Sequence, residues 1–233
     1  MPTPVIGIII PLIREASVFK VEKIATKRPI KLTDNLLFFV SGVGTKNAED
    51  AVNSLASEVT HIISWGSAAG LSKILKPGDL ILPELILDEK GTEYVTDSTF
   101  NNRMVQLFPK ELSYHHGSLC ESTNMLKEVE EKRLFGKKHN AMACDMESAT
   151  IAKLAKQKGI SFSALRVISD DYNTSIPQSV FLSINKDGDF SIGALFFQLL
   201  LNPKEIVQVI RLGKNFSKAK KTMLKLKNVL FSL

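Results

Sequence analysis

The chain has 233 residues, of which 23% are charged and 44% are hydrophobic, and these values are typical of one folded domain and exclude a disordered protein. No apolar run reaches the roughly 18 residues of a membrane span, and the N-terminus lacks a signal-peptide pattern. The formal net charge is +6, but residues 202–233 carry eight basic residues and one acid, which leaves −1 for residues 1–201. The basic character therefore belongs to the tail and does not indicate a nucleic-acid-binding domain.

The chain has two cysteines, Cys120 and Cys144, and four histidines. Two cysteines do not make a disulfide framework, and this usage is typical of a reducing cytosol. The histidines and cysteines show no metal-ligand spacing, so no structural metal is expected. We therefore expect a cytoplasmic protein that is at most peripheral to the inner face of a membrane.

Strands and turns alternate in the first part of the chain. The apolar run Val5–Leu12 predicts a central strand, and the helix that follows it carries Glu15. Leu36–Val40 predicts the next strand, which leads through Ser41-Gly42-Val43-Gly44 into a helix that begins at Asn47. Two glycines between a strand and a helix let backbone amides face an oxyanion, although a tight turn without a ligand would also use them.

Further strands are predicted at His61–Trp65, Leu80–Leu82 and Leu85–Leu87. The small residues Gly66–Leu71 after the first of these permit a close approach by a ligand or by another chain segment. Residues 88–116 are polar, and we expect them to run over the surface, where they could complete a pocket or an oligomer contact.

A strand, a helix and another strand are predicted in the middle of the chain. Ser118–Ser122 is a short strand, which a loop and helix follow, and Gly136–Asn140 is expected to be a basic surface turn. Ala149–Gly159 is rich in Ala and Lys and predicts a helix that ends at its glycine, where a positive φ is tolerated. Ile160–Ile168 then predicts a strand that is buried on both faces of a parallel sheet.

Acidic side chains stand at the ends of these elements. Met146 and Glu147 lie where the chain enters the helix, and Ser169 and Asp170 lie at the carboxyl end of the following strand. Ligands bind at the carboxyl ends of strands in open α/β sheets. Together with Glu15, this arrangement predicts three acids near one crevice. A helix-start Glu can also simply face the helix dipole, and an Asp after a strand can cap the next helix.

The remaining segments predict a helical C-terminus. Gln178–Ile184 is apolar-rich, Lys186–Asp189 is expected to be a turn, and Ser191–Leu201 predicts a helix. Gly213 is expected to break the tail, after which Asn215–Leu230 resumes with apolar residues at helical spacing.

We place a domain boundary at residue 202, between a catalytic domain formed by residues 1–201 and a basic amphipathic tail formed by residues 202–233. The tail has two open roles: a helix packed on the body with a solvated basic face, or peripheral attachment of residues 214–233 to an anionic membrane. In the second case each Lys near the membrane surface would contribute about 1 kcal/mol to the free energy of membrane binding. No aromatic stacking series accompanies the lysines, so no nucleic-acid partner is expected.

Four blocks of the chain, which span residues 5 to about 171, resemble the nucleoside phosphorylase and nucleosidase family. This family includes purine nucleoside phosphorylase and methylthioadenosine/S-adenosylhomocysteine nucleosidase. The blocks are Ile6-Gly7-Ile8-Ile9 with Glu15, Ser41-Gly42-Val43-Gly44, Gly66-Ser67-Ala68-Ala69-Gly70-Leu71 to Pro77-Gly78-Asp79, and Asp145-Met146-Glu147 with Arg166-Val167-Ile168-Ser169-Asp170. The chain departs from the family at Ala69, which replaces a glycine and could narrow the pocket near the ribose.

The downstream segments, from Ile176-Pro177 through Asp187-Gly188 and Asn202-Pro203 into the basic helix, are similar to the hopanoid-associated branch of the family. That branch is thought to remove adenine from adenosylhopane. The resemblance thus suggests a lipid-linked nucleoside as one candidate substrate.

The resemblance implies an α/β fold, with a single domain whose central mixed β-sheet is flanked by helices and with a basic C-terminal helix. It implies an enzyme that cleaves the N-glycosidic bond of a purine nucleoside, of adenine in the first place, with a modified 5′ end. No cofactor is implied, although phosphate could be a co-substrate. The expected partners are a small-molecule or lipid-linked nucleoside and further copies of the chain in a homo-oligomer.

The resemblance also implies roles for individual residues. Asp170 would hand a proton to the purine N7, and Glu147 would accept hydrogen bonds from the ribose hydroxyls as positive charge develops on the sugar. Met146 would pack on the sugar. Glu15 would activate an attacking water as general base. The other residues expected to bind substrate are Ser67, Gly70, Ser169, Arg166, Met125 and Leu126, of which the last two align with the family's base-stacking segment.

The nucleophile separates the candidate functions. A phosphate would need cations and amide donors, which Ser67, the Gly42–Gly44 turn and Arg166 could supply. Arg166 could equally form a buried ion pair with Glu15 or another acid. Because a base beside the nucleophile site would repel phosphate, hydrolysis is favoured over phosphorolysis. A catalytically idle nucleoside- or lipid-binding protein on the same scaffold is the alternative from a different class.

Overall fold

The computed structural model of the protein describes residues 4–184 and 190–233, and a mixed β-sheet forms its centre. The expected turn at Lys186–Asp189 lies outside the described residues. The strands are β1 (Ile6–Ile10), β2 (Pro29–Thr33), β3 (Leu36–Val40), β4 (His61–Gly70), β5 (Leu80–Ile81), β6 (Leu85–Leu87), β7 (Glu93–Val95), β8 (Tyr114–His115), β9 (Ser118–Glu121), β10 (Ala143–Asp145) and β11 (Ser161–Asp170). The helices are α1 (Ile13–Ala16), α2 (Thr45–Leu55), α3 (Ser98–Gln106), α4 (Val129–His139), α5 (Ser148–Gln157), α6 (Gln178–Phe181), α7 (Ile192–Leu201) and α8 (Ile206–Leu230).

The strands β3, β1, β4 and β11 run parallel to one another at the middle of the sheet. Apolar clusters cover both faces of these strands, so their mostly apolar sequences match a sheet that is buried on each side. Since parallel strands end at the same edge, the chain after β1, the second half of β4 and the end of β11 meet there. The expected single-domain α/β fold with a mixed sheet and flanking helices is confirmed.

Strand β4 is longer than the predicted His61–Trp65 strand, because it continues to Gly70. Its first half pairs with β1 and β11, and its last two residues pair antiparallel with β10. The expected turn of small residues is therefore part of a strand. Ala69 pairs with Cys144 on one side and with Asp170 on the other, so it sits in extended backbone that tolerates its methyl group.

Two segments predicted at the surface contain helices that were not predicted from the sequence. Residues 88–116 contain the helix α3, whose Phe100 and Met104 pack into the core. The helix α4 continues through the expected basic turn, with Gly136 buried inside it and Asn140 closing its end at a φ of 48°. Both errors have the same cause: a helix that buries only a narrow apolar stripe leaves a largely polar sequence.

The tail forms one continuous helix, so the expected break at Gly213 was also wrong. A glycine inside a helix costs only about 1 kcal/mol relative to alanine, and tertiary packing readily offsets that cost. In the second half of α8, Ala219, Met223, Leu226 and Leu230 are buried in the core beneath the sheet. The apolar side of this half is therefore used in folding. The boundary at residue 202 falls between α7 and α8 and stays a prediction.

Within the described residues, none of the helices is both long and apolar enough to cross a bilayer.

Candidate active site

A cavity of about 860 Å³ opens at the carboxyl ends of the central strands. This volume lies toward the upper end of the ~300–1,000 Å³ range of small-molecule sites. Its polar lining comes from strand ends and first helical turns and includes Glu15, Ser67, Asp145, Glu147, Arg166, Ser169 and Asp170. Its apolar lining from α6, α7, α8 and the chain beside them includes Ile176, Val180, Phe181, Leu182, Ile184, Phe190, Leu195, Val209, Leu212 and Phe216.

Glu15 is buried in the single turn of α1 and is held by the middle of β4. Its Oε1 accepts hydrogen bonds from the Ser67 backbone amide at 2.7 Å and from Ser67 Oγ at 2.6 Å. Its Oε2 has no hydrogen-bond partner among the described residues. Burial raises the pKa of Glu15, although the Ser67 hydrogen bonds and the charge of Arg166 oppose this rise. The carboxylate is thus oriented through one oxygen, while the other can accept a proton.

The Glu147 carboxylate lies at the Ser41–Gly44 turn, whose backbone amides were expected to face a ligand oxyanion. Gly44, at a φ of 97°, directs its backbone amide to Glu147 Oε1 at 2.8 Å. The amide of Gly42 donates to the Pro11 carbonyl at 3.1 Å. Burial raises the pKa of Glu147, and the nearby Arg166 charge opposes this rise. These amides are therefore bound to groups of the protein itself.

Arg166 is buried among acids in the middle of β11. Its Nε lies 2.7 Å from Asp145 Oδ2, and its Nη2 lies 3.6 Å from Glu147 Oε2. Nη2 also donates to Ser64 Oγ at 2.6 Å. The alternative in which Arg166 belongs to a buried ion pair thus describes the structure, with Asp145 as its nearest acid. A side chain in such a pair is held in place and has limited capacity for an additional anion.

Asp145 was quoted in the family block but received no role from the sequence. It lies at the end of β10, where Oδ1 accepts from the backbone amides of Glu147 at 3.3 Å and Ser148 at 3.1 Å. Ser148 Oγ donates to its other oxygen. Asp145 therefore caps the start of α5, and in doing so it fixes the backbone that carries Glu147.

Gly66 separates Glu15 from Arg166, and a side chain there would collide with both. A Cβ on this residue would lie 2.7 Å from Glu15 Oε2 and 2.7 Å from Arg166 Nη1, and the φ of 149° is one that favours glycine. The glycine at the start of the Gly66–Leu71 block is therefore required because charged side chains crowd around β4 at this position.

Asp170 ends β11 at a register shift between Ile168 and Asp170. Its Oδ1 accepts from Ser169 Oγ at 2.7 Å, and its Oδ2 accepts from Nζ of Lys132. Lys132 is fully buried in α4 and donates as well to the carbonyl of Thr174 at 2.6 Å. The Asp170 carboxylate is thus held at the cavity by one donor on each of its oxygens.

Lys132 is the site residue that sequence reasoning missed. It lies in a charged run of α4, between Glu130 and Arg133, which is typical of a solvated helix face. In the same helix Leu134 is 61% exposed, whereas Lys132 is fully buried. The hydropathy of α4 therefore predicts an exposed Lys132 and a buried Leu134, which is the reverse of the structure. No local pattern indicates the burial of Lys132.

The other residues expected to bind substrate divide into two groups. Ser67, Met125, Leu126, Met146, Arg166 and Ser169 all line the cavity together with the three acids. Gly70 does not line it, because it packs against the chain at the end of β11. A Cβ on Gly70 would lie 3.4 Å from the carbonyl oxygen of Asp170 and 3.4 Å from Cα of Asp171. Gly70 thus supports the strand end that carries Asp170 and has no contact with the cavity.

The chain is similar in sequence to known proteins. The sequence profile of the Phosphorylase superfamily matches residues 30–184. A 5′-methylthioadenosine/S-adenosylhomocysteine nucleosidase of Shewanella frigidimarina is 24% identical over 158 residues, which are 59% of this chain and 69% of the relative. A nucleosidase of the same description from Buchnera aphidicola is 28% identical over 151 residues, 56% of this chain and 65% of the relative.

Solved structures share the fold over nearly the whole chain. The 5′-methylthioadenosine/S-adenosylhomocysteine nucleosidase of Neisseria meningitidis, in complex with methylthio-immucillin-A, has a TM-score of 0.74 at 17% identity, covering 98% of this chain and 99% of its own. The futalosine hydrolase of Helicobacter pylori has a TM-score of 0.71 at 17% identity, with coverages of 98% and 97%. At these identities the likeness establishes the fold.

Proposed function

The chain belongs to the Phosphorylase superfamily, and from that premise we propose that it is a nucleosidase that hydrolyses the N-glycosidic bond of an adenine nucleoside with a large apolar 5′ substituent. The observation that carries this proposal is the engagement of the site's anion donors by the protein's own carboxylates. Curated relatives are described as nucleosidases for 5′-methylthioadenosine and S-adenosylhomocysteine, which supports the same reaction class.

Water is the better nucleophile for this site than phosphate. The Ser67 amide and hydroxyl bind Glu15, the Gly44 amide binds Glu147, and Arg166 pairs with Asp145 and Glu147. These are the donors that an attacking phosphate would need. A phosphate would also meet the like charge of Glu15. Phosphorolysis is therefore the weaker alternative.

Glu15 acts as general base in this mechanism. Its Oε2 takes a proton from water, and the water oxygen then forms a bond to C1′ of the ribose. The bond between C1′ and N9 of the purine breaks at the same time, and its electron pair goes to the base. Because burial raises the pKa of Glu15, the carboxylate is a stronger proton acceptor than an exposed glutamate.

Asp170 supplies the proton that neutralises the departing purine. The Lys132 ammonium donates a hydrogen bond to Asp170 Oδ2, so Asp170 can take a proton from this ammonium and pass it to N7, and adenine leaves as a neutral molecule. The proton that Glu15 took from water restores the pair through solvent. No cofactor enters this sequence.

Glu147 and Met146 bind the ribose. Glu147 is anchored by the Gly44 amide through one oxygen, so the other is directed and can accept from a ribose hydroxyl. This hydrogen bond strengthens as the sugar becomes positively charged in the transition state, and such differential binding accelerates the reaction. Met146, Met125 and Leu126 line the cavity and offer apolar surface to the sugar and the base.

The apolar part of the cavity suggests the 5′ substituent. The side chains that α6, α7 and α8 contribute to it are uncharged, and the total cavity volume is about 860 Å³. The Arg14 guanidinium lies at its edge, 4.0 Å from the centre of the Phe190 ring. Such a lining suits a long or polycyclic hydrocarbon better than a short methylthio group. Adenosylhopane, the substrate that the resemblance suggested, has that chemistry.

Release of free base tests the proposal directly. The protein is incubated with methylthioadenosine, adenosine, inosine and adenosylhopane, each with and without phosphate, and the products are separated by chromatography. Adenine without phosphate is the expected product. Release that requires phosphate would identify a phosphorylase, and no release from any of these nucleosides would favour the idle-binder alternative.

A substitution separates an enzyme from a binding protein. Asp170→Asn is expected to abolish turnover while it preserves affinity for a substrate analogue, because the amide keeps the shape of the side chain but supplies no acidic proton. A mere binder would have no turnover to lose.

Size-exclusion chromatography with light scattering tests the expected homo-oligomer.

A further inference from the structure

The helix α7 buries none of its side chains, although eight of its ten residues are apolar and another is glycine. A short turn at Pro203–Glu205 joins it to α8, and we refer to α7 together with the first half of α8 as the hairpin. The outward side chains of this hairpin are exposed: Ile192 by 77%, Phe196 by 65%, Phe197 by 59%, Leu200 by 64%, Leu201 by 61%, Val207 by 69% and Ile210 by 53%. We call these seven residues the hairpin face. A contiguous apolar surface of this kind marks an interaction site.

The opposite side of the same hairpin lines the cavity. Leu195 of α7 and Val209, Leu212 and Phe216 of α8 belong to the cavity lining. Each helix of the hairpin therefore has side chains that line the apolar part of the cavity and other side chains that belong to the exposed hairpin face. Whatever covers the hairpin face thus lies one helix away from the apolar part of the cavity.

The charges around the hairpin face are of one sign. Helix α7 has no charged residue, and Lys204, Arg211 and Lys214 are exposed along the turn and the first half of α8. Glu205 is the single acid in residues 190–233, and it accepts a hydrogen bond from the Ser179 amide at 2.8 Å. A second copy of the chain would bring the same positive charges to this surface and would be repelled. An anionic lipid surface is complementary to it.

We propose that the hairpin face docks the protein onto an anionic lipid surface, and that the cavity takes a lipid-linked nucleoside from that surface. The aromatic and branched side chains of α7 enter the boundary between headgroups and acyl chains, and the basic side chains contact the headgroups. The docking surface is thus the hairpin face and not residues 214–233, because Ala219, Met223, Leu226 and Leu230 pack into the core. The substrate part rests on the proposed function, whereas docking can be measured without it.

Vesicle sedimentation of the full chain tests the docking. Wild-type protein is mixed with phosphatidylcholine vesicles and with vesicles that also contain phosphatidylglycerol. We expect sedimentation with the anionic vesicles and a weaker association at high salt, since salt screens the basic side chains. Protein that stays in the supernatant with both vesicle types would overturn the proposal.

A double substitution localises the docking. Phe197→Glu with Leu200→Glu puts two charges on the hairpin face, and neither residue lines the cavity. We expect the apparent affinity for anionic vesicles to fall about tenfold or more. The matched control is Ile74→Glu with Leu134→Glu, which charges two comparably exposed apolar residues, 58% and 61%, outside the hairpin. Equal loss in both double variants, or loss in neither, would contradict docking through this face.

Two parallel readouts distinguish the outcomes. Light scattering on the wild type and on the Phe197→Glu/Leu200→Glu variant detects an interface between copies of the chain. If the hairpin face were such an interface, the wild type would be an oligomer that does not bind vesicles, and the variant would dissociate into smaller species. Adenine release from methylthioadenosine and from adenosylhopane, each without vesicles, reports the proposed function alone. Vesicle binding without any release would overturn the nucleosidase proposal and leave docking intact, whereas release without vesicle binding would do the reverse.

Discussion

Lys132 donates a hydrogen bond to Asp170 from an ammonium group that has no exposed surface. Two backbone carbonyls, of Asp171 at 3.2 Å and Thr174 at 2.6 Å, accept from the same ammonium. A buried ion pair seldom adds stability over an apolar pair, but removal of one partner leaves a costly unpaired charge. This relationship therefore connects the stability of the domain with the proton that the proposed reaction needs.

Lys132→Met is expected to lower kcat by about 10²–10⁴, the usual contribution of acid catalysis. It should also lower the free energy of unfolding by about 3–5 kcal/mol, because Asp170 is left buried without its partner. Steady-state kinetics on methylthioadenosine and denaturant unfolding measure the two effects separately.

The double variant Lys132→Met with Asp170→Asn separates catalysis from folding. We expect it to regain much of the stability that Lys132→Met loses, since the unpaired charge is gone, without any gain in turnover. If the double variant were as active as wild type, neither residue would supply the proton.

Glu15 determines the acidic side of the pH profile in the proposed mechanism. A general base must be ionised, so kcat/KM should fall as pH falls through the Glu15 pKa, which burial raises above 4.5. Ser67→Ala removes a hydrogen bond that lowers this pKa, and the fall should then begin at a higher pH. The kcat/KM of Glu15→Gln should be about 10²–10⁴-fold lower, and its pH profile should no longer fall on the acidic side. An unchanged profile in Ser67→Ala would exclude Glu15 as the group that titrates.

Leu212→Trp is expected to change substrate preference. Leu212 lines the apolar part of the cavity from α8, and an indole there would occupy the space of a long 5′ chain. We expect kcat/KM for 5′-hexylthioadenosine to fall about tenfold or more, with a change within about threefold for methylthioadenosine. Val207→Trp, on the outer side of the same helix, is the control and should alter neither substrate. Equal losses for both substrates would mean that this region does not receive the 5′ group.

Glu121 should make stability depend on pH. It ends β9, accepts from the Thr150 amide at 2.7 Å and from Thr150 Oγ1 at 2.8 Å, and burial raises its pKa from 4.5 to about 7. Between these values the folded state keeps a proton that the unfolded state has lost, so stability falls as pH rises through this window. At ~1.4 kcal/mol for each pH unit, the fall over this window of about 2.5 units is at most about 3.5 kcal/mol.

Glu121→Gln stays neutral at every pH and can still pair with both Thr150 groups. The free energy of unfolding of the variant should therefore fall less than that of wild type between pH 4.5 and pH 7. Equilibrium unfolding of both proteins at these two pH values measures the difference. Other buried acids contribute to both proteins equally, so the difference isolates Glu121. Parallel curves for the two proteins would contradict the assignment.

The strands and the strand-end acids were predictable because they depend on local signals. Leu36–Val40 is an apolar run and is a strand, and Glu15 and Asp170 follow from the position where such runs end. The partners of these acids were not predictable. Gly44 and Glu147 are 103 residues apart, and Lys132 and Asp170 are 38 apart, so only the assembled sheet brings them together.

The tail illustrates the same limit. Its helical spacing predicted an amphipathic helix over Asn215–Leu230, and that spacing is confirmed. The sequence could not reveal which of two apolar segments the core would cover. The core takes the second half of α8 and leaves α7 exposed, because only the former lies against β11.

Four residues of strand β4 support the site: Ser64 binds Arg166, Gly66 leaves room for two charged side chains, Ser67 binds Glu15, and Gly70 packs against the strand end that carries Asp170. Side chains alternate between the faces of a strand, so inserting or deleting one residue there would reverse every later position. Such a change would separate the base and the acid from their supports in one step. Strand β4 therefore has no freedom of length, because its register sets the partners of Glu15 and Asp170 together.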